Sequence, residues 1–185
     1  MEFVSSFQAQ TRTFMRFSRR HGNMRSVRQW NERTPAVAEM LNPAFLSVII
    51  GAAAIDYQQR ATKPLPFPLA FLVAPLVLHR DTREQLPKRV DSHMSKWVMS
   101  HEVIAAGFGD RARVLVEPVR EGIRFGLRTG ALKLVDGDLA GNLANRRPAK
   151  IGDIALIHRK AAFVGRWLSQ LDTPTTAFAL LGVTP

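Results

Sequence analysis

Two uncharged stretches constrain this chain more than any other feature: MLNPAFLSVIIGAAAI at 40–55 and PLPFPLAFLVAPLVL at 64–78. They carry most of the apolar density, so a fold must wrap the remaining segments around them. Neither reaches the roughly 20 residues that a membrane-spanning helix needs. The second is broken by Pro64, Pro66, Pro68 and Pro75, and lipid could not satisfy the backbone groups those prolines leave unpaired. Both are read as core. A chain of 185 residues that is 46% hydrophobic can bury enough surface as one domain to fold without staples. The absence of cysteine excludes disulfide frameworks, iron–sulfur clusters, thiol nucleophiles and Cys-based zinc sites.

Periodicity predicts a mainly α fold: a compact helical domain with one short β-hairpin, winged-helix-like. Thr34-Pro35 opens a helix that Asn42-Pro43 breaks and restarts, with Phe45, Leu46, Ile49, Ile50 and Ala53 at helical spacing as far as Tyr57. A third, proline-capped helix spans about 69–78, followed by the polar segment HRDTREQLPKR at 79–89. From Asp91 or Ser92 to Ala106 one helix is expected, with Met94, Trp97, Val98, His101 and Ile104 as its buried stripe. A longer helix from about 110 to 129 contains Pro118, where a kink is expected. Alternating apolar residues around Asp136-Gly137 then predict a hairpin with strands near 131–135 and 138–141. The last helix, 151–171, should bury Ile154, Ile157, Ala161, Val164, Trp167 and Leu168, with Phe163 also read as core. A helix running into a small hairpin is the outline of a winged-helix module, placed at about 91–171.

Residues 1–30 form a separate compositional region, an arginine-rich arm that reads as flexible or as a helix ordered on a partner; residues 31–185 form the helical domain. Arg12, Arg16, Arg19, Arg20, Arg25, Arg28 and Arg33 face only Glu2 and Glu32 in the first 34 residues. Phe3, Phe7, Phe14 and Phe17 alternate with those arginines, a poor match to a secretory signal. The cytoplasm is the expected location, with no membrane partner.

A search for catalytic constellations finds none. His101-Glu102 opens like the zinc motif H-E-x-x-H, but Ala105 stands where the second histidine belongs. The glycines from 137 to 141 lack the Lys and Ser/Thr of a phosphate loop, and no G-x-S-x-G exists. Glu117 and Glu121 have Arg113, Arg120 and Arg124 one turn away, the pattern of a salt-bridged solvent face. The expectation is a protein without enzymatic activity, cofactor or metal.

What stands out is basic surface: 26 Lys+Arg against 15 Asp+Glu give a net charge of +11. Such an excess favours an anionic or acidic partner. Arg120, Arg124 and Arg128 recur every four residues on the helix before the hairpin, Arg146, Arg147 and Lys150 follow it, and Arg159, Lys160 and Arg166 lie on the last helix. In a winged helix these are the places that meet a duplex. The first six are the candidate DNA-binding residues. Plain solvation explains the same stripes, and so does an acidic protein partner.

The succession ERTPAVAEMLNPAF at 32–45, LPFPLAFLVAPLVLHRDTREQLP at 65–87, GIRFGLRTGAL at 122–132 and the closing KAAFVGRWLSQL with LGVTP resembles the middle component, third family, of bacterial ABC-three-component systems. These accessory proteins are similar to subunits of Lamassu-type anti-phage and anti-plasmid defence. The resemblance spans about residues 30–185 and leaves out the arginine-rich arm. It implies a non-enzymatic adaptor between an SMC-like ABC ATPase and an effector subunit such as a nuclease, with double-stranded DNA as a further candidate partner. It also implies a protein interface at Thr82, Arg83, Leu86 and Pro87, a block that could equally be structural, with Thr82 capping a turn and Leu86 in the core. The competing reading from the residues is an autonomous winged-helix transcriptional regulator.

Overall fold

A computed structural model describes residues 41–143 and 152–183. Its centre is helix α1, Pro43–Ala61, which is buried on nearly all sides through Leu46, Ile49, Ile50, Ala52, Ala53, Ala54 and Tyr57. The local sequence accounts for both ends. Asn42 Oδ1 accepts the Ala44 amide at 2.8 Å and Pro43 sits at the first helical position. The helix runs one turn beyond the expected stop at Tyr57, because Gln58, Gln59 and Arg60 are good helix formers. Thr62, at φ 58°, closes it with its amide on the Gln58 carbonyl.

A short 3₁₀ turn, Phe67–Leu69, leads into α2, Ala70–Leu78, whose residues are buried from Ala70 to Val77. The short helix α3, Arg80–Glu84, follows. Next come α4 (Met94–Ser100), α5 (Glu102–Ala106), α6 (Phe108–Val114) and α7 (Val116–Arg128). The chain then forms β1 (Leu132–Val135) and β2 (Asp138–Gly141), and it ends in α8 (Gly152–Leu168) and α9 (Pro174–Leu180).

Two expected helices are each split in two. The one expected over 91–106 breaks at His101, with φ −134° and ψ 49°. Ser100 Oγ donates to the carbonyls of Lys96 and Trp97, and His101 Nδ1 lies 2.8 Å from that same Trp97 oxygen. The side chains compete for the acceptors a continuing helix would use. His101 and Val98 are consequently only half-buried, whereas Met94, Trp97 and Ile104 are core. The helix expected over 110–129 is interrupted at Leu115, not at Pro118. A proline ring clashes with the carbonyl four residues back, here Val114, so the break falls there and leaves Pro118 in the first turn of α7, where its missing amide costs nothing.

The hairpin has the expected boundaries. Asp136 (φ 51°) and Gly137 (φ 89°) form the two-residue turn, the backbone pattern of a type I′ hairpin. The register pairs Leu132 with Gly141, Lys133 with Ala140, Leu134 with Leu139 and Val135 with Asp138. Beyond β1, Leu139 exchanges both backbone hydrogen bonds with Leu65, at 2.9 and 2.8 Å. Helix α7 running into β1 and β2 keeps the helix-then-hairpin outline.

Close packing around α1 depends on glycine. A Cβ at Gly165 of α8 would overlap the Ala53 carbonyl oxygen, and one at Gly141 the Gly51 carbonyl oxygen. A Cβ at Gly122 of α7 would stand 2.6 Å from Leu46 Cβ. Helices approach this closely only where no side chain intervenes. In α8, Ala161, Val164, Trp167 and Leu168 are buried as expected, Ile157 and Phe163 are partly buried, and Ile154 is 47% exposed. The apolar tail becomes α9, capped by Thr173 Oγ1 on the Thr176 amide and closed by Gly182 (φ 64°) with the Val183 amide on the Phe178 carbonyl at 2.9 Å.

Candidate interaction surfaces

The block at 79–93 is a structural clamp. Thr82 is fully buried, its hydroxyl 2.9 Å from His79 Nδ1, which also accepts the Thr82 amide. Arg83, only 5% exposed, donates through Nη1 to the carbonyls of Val77 (2.8 Å) and Leu78 (3.2 Å). A cation at those last carbonyls of α2 satisfies groups the helix leaves open and complements its dipole. Leu86 is core at 4% exposure. The expectation that Thr82, Arg83 and Leu86 are displayed to a partner is therefore corrected: they hold α2 and α3 together. Pro87 is half-buried beside them.

Two indoles fasten the chain that follows. Trp97 Nε1 donates to the Gln85 carbonyl and Trp167 Nε1 to the Ser92 carbonyl, each at 2.7 Å. The two rings meet edge to face at 5.4 Å, and His101 stacks on the outer side of Trp97 at 5.2 Å. Such contacts add about 0.5–1.5 kcal/mol beyond the area they bury. Arg111 closes the next turn, donating to the Ile104 carbonyl at 2.7 Å with its guanidinium over Phe108. Burial lowers its pKa from the usual arginine value, with Asp81 acting in the opposite direction.

The basic stripe on α7 is not uniform. Arg124 and Arg128 are exposed, and among the described residues neither forms an ion pair. The Arg120 side chain is only 17% exposed and pairs with Glu117. Each step of four residues turns about 40° around the helix, so the stripe winds from the Glu117 side out to solvent. The opposite face, Pro118, Val119, Gly122, Ile123 and Gly126, packs against α1 and β1. Arg146, Arg147 and Lys150 lie outside the described residues. On α8, Arg159 is exposed and Arg166 pairs with Asp56 of α1.

Among the described residues no three His, Asp or Glu side chains gather into a metal-binding group, and no helix is long and apolar enough to cross a membrane. Exposed apolar side chains are the feature that sequence reading missed: Val103 is 90% exposed, Met99 75%, Leu134 51% and Val135 40%. Met99 and Val103 fall outside the expected stripe of Met94, Trp97, Val98, His101 and Ile104, so the spacing itself leaves them on the far face although both are apolar. For Leu134, the alternation with Leu132 and Leu139 placed it correctly on the inner face but could not show that this face extends past the core.

No curated protein and no solved structure matches the chain. The family model for ABC-three component system Middle Component 3 matches residues 30–185. The chain belongs to that family of middle components.

Proposed function

We propose that this protein is a non-enzymatic adaptor in its three-component system, joining an SMC-like ABC ATPase to an effector such as a nuclease in a Lamassu-type defence complex in the cytoplasm. The observation that carries the reading is family membership over residues 30–185, since a middle component implies partner proteins. The chemistry of the chain agrees with it: the sequence offers no nucleophile elbow, phosphate loop or zinc motif. The exposed Arg124 and Arg128 add sequence-independent contact with duplex DNA held by the complex. Because Arg120 already pairs with Glu117, its share of that contact is smaller than even spacing suggests.

The test is co-expression with the ABC ATPase and effector subunits of the same system. The ATPase and effector should co-purify only when this chain is present. Their association without it overturns the adaptor role, as does magnesium-dependent DNA cleavage by the isolated chain that one substitution in it abolishes. For the DNA contact, Arg124→Ala with Arg128→Ala should weaken binding alike on unrelated duplexes and lower the log–log salt slope by about two, one for each phosphate no longer neutralised. Tight binding by the isolated chain to one preferred sequence would instead support the autonomous regulator that the helix-then-hairpin outline also suits.

A further inference from the structure

The hairpin has one closed edge and one open edge. Leu139 directs both its amide and its carbonyl at Leu65, so within the β1–β2 ladder the pair Leu134–Leu139 is of the kind that exchanges no hydrogen bonds. It follows that the Leu134 amide and carbonyl point away from β2, out of the sheet. No hydrogen bond from another described residue reaches them. Leu134 is 51% exposed and Val135 is 40% exposed. Leu132 and Leu139, on the same face as Leu134, are buried, so Leu134 continues the core out to a rim that no described residue fully covers.

The charge around this edge has one dominant sign. Arg124 and Arg128 lie in the last turns of the helix that runs into β1, and Lys133 stands on the outer face of β1 itself, all three exposed; Asp136 at the turn is the one exposed acid between Arg128 and Gly141. A lysine on an open strand discourages indiscriminate edge pairing. A second copy would bring the same cations against these in a chain of net charge +11.

We infer that the open edge of β1 takes an extended, acidic segment of a partner subunit, which adds a third strand at Leu134, covers its side chain with an apolar residue and sets a carboxylate toward Lys133, leaving Arg124 and Arg128 to the duplex. This inference rests on the adaptor reading for the existence of such partners. The edge is short: Leu134 supplies two outward hydrogen-bonding groups. Affinity therefore comes from burial of Leu134 and from charge, with the backbone fixing direction and register. Pairing of this kind is salt-sensitive, since exposed charges are screened within about a Debye length.

The probes are the ATPase and effector subunits of the same system, and overlapping 15-residue peptides tiling both. The readouts are hydrogen exchange at the Leu134 amide and the dissociation constant. In the complex that amide should exchange at least tenfold more slowly than in the free chain, and an acidic peptide should reproduce the protection. Leu134→Pro removes the outward donor and leaves the β1–β2 ladder intact, because proline is tolerated where a strand amide faces solvent. It should weaken binding at least tenfold. Lys133→Glu keeps the test alive should the proline variant fold poorly, and it should weaken binding at low salt more than at high salt. A complex that forms with Leu134 exchange unchanged overturns this inference and leaves the adaptor reading standing; failure of any complex to form overturns both. Protection of Leu134 in a homodimer, or in the isolated chain until residues 1–40 are deleted, also overturns it by naming a different occupant.

Discussion

The part of the molecule built on α1 and the part running from His79 to Leu115 become buried by opposite means. Helices α1, α7 and α8 are 19, 13 and 17 residues long, and α7 and α8 each close on α1 through Gly122, Gly165 and the alanines of α1. Between His79 and Leu115 no helix exceeds 7 residues. Isolated helices shorter than about 12–15 residues are marginal in water. There the backbone is tied by side-chain donors: Arg83 on α2, Trp97 and Trp167 on the connection at 85–92, Arg111 on α5. The first region should be intolerant of added volume, the second of a missing donor.

The largest effect should come from adding volume beside α1. Gly165→Val places carbon where the Ala53 carbonyl stands, and backbone cannot rotate away as a side chain would. Overpacking costs typically 1–3 kcal/mol, occasionally more, and this site belongs at the upper end, about 3 kcal/mol. At about 2–4 °C per kcal/mol for a domain of this size, melting should fall by about 6–12 °C. Gly165→Ala should cost less, about 2 kcal/mol, because alanine recovers about 1 kcal/mol of helix propensity. Unchanged melting of both variants would show that α1 and α8 do not meet as described.

Next in size is Trp167→Phe. The ring contact with Trp97 is largely kept, but the Ser92 carbonyl is left without its donor, a destabilisation toward the lower end of the roughly 1–3 kcal/mol range because this acceptor is only partly buried. The comparison predicts where the weakening shows: amides of the segment 85–93 should exchange faster while those of α1 keep their protection. Uniform loosening of both regions would mean that they are one cooperative unit. Arg83→Met should follow at about 1–2 kcal/mol. Two carbonyls of α2 are orphaned, yet removing a buried cation relieves a desolvation cost that partly offsets this. A variant more stable than the parent would reverse that balance.

How far the sequence could be read follows the same division. The α1 segment, α2 and the hairpin were legible because each carries its own signals: Asn42-Pro43, an unbroken apolar run, Asp136-Gly137. The breaks at His101 and Leu115 were not. The first depends on Ser100 and His101 reaching back to carbonyls, and the second on where the Pro118 ring falls relative to Val114. Both are side-chain events that periodicity averages away. The interface reading of Thr82, Arg83 and Leu86 failed for a related reason: a polar pair in a charged segment looks exposed unless its acceptors, here α2 carbonyls and His79, are known to lie beside it. The α7 stripe was half legible, since spacing found Arg124 and Arg128 but could not show that Glu117 engages Arg120.

The smallest effect concerns a charge inside the region that packing dominates. Asp56 of α1 pairs with Arg166 of α8, and His158 lies about two turns earlier on α8, half-buried. Burial holds its pKa below the ordinary 6.5, with Asp56 pulling the other way. The folded state thus favours the neutral imidazole, and the unfolded chain takes up a proton more readily. That contribution is complete above about pH 6.5 and is lost as pH falls through the lower, folded value. His158→Gln should flatten the decline in melting temperature on mild acidification, leaving stability at pH 8 close to the parent's. Asp56→Asn removes the charge that favours the imidazolium, so His158 should resist protonation more strongly and the acid decline should steepen, although this variant also starts from a lower plateau for want of the Arg166 pair. Equal slopes for the parent and both variants would show that His158 is solvated as freely in the fold as out of it, and that the contact between α1 and α8 is governed by packing alone.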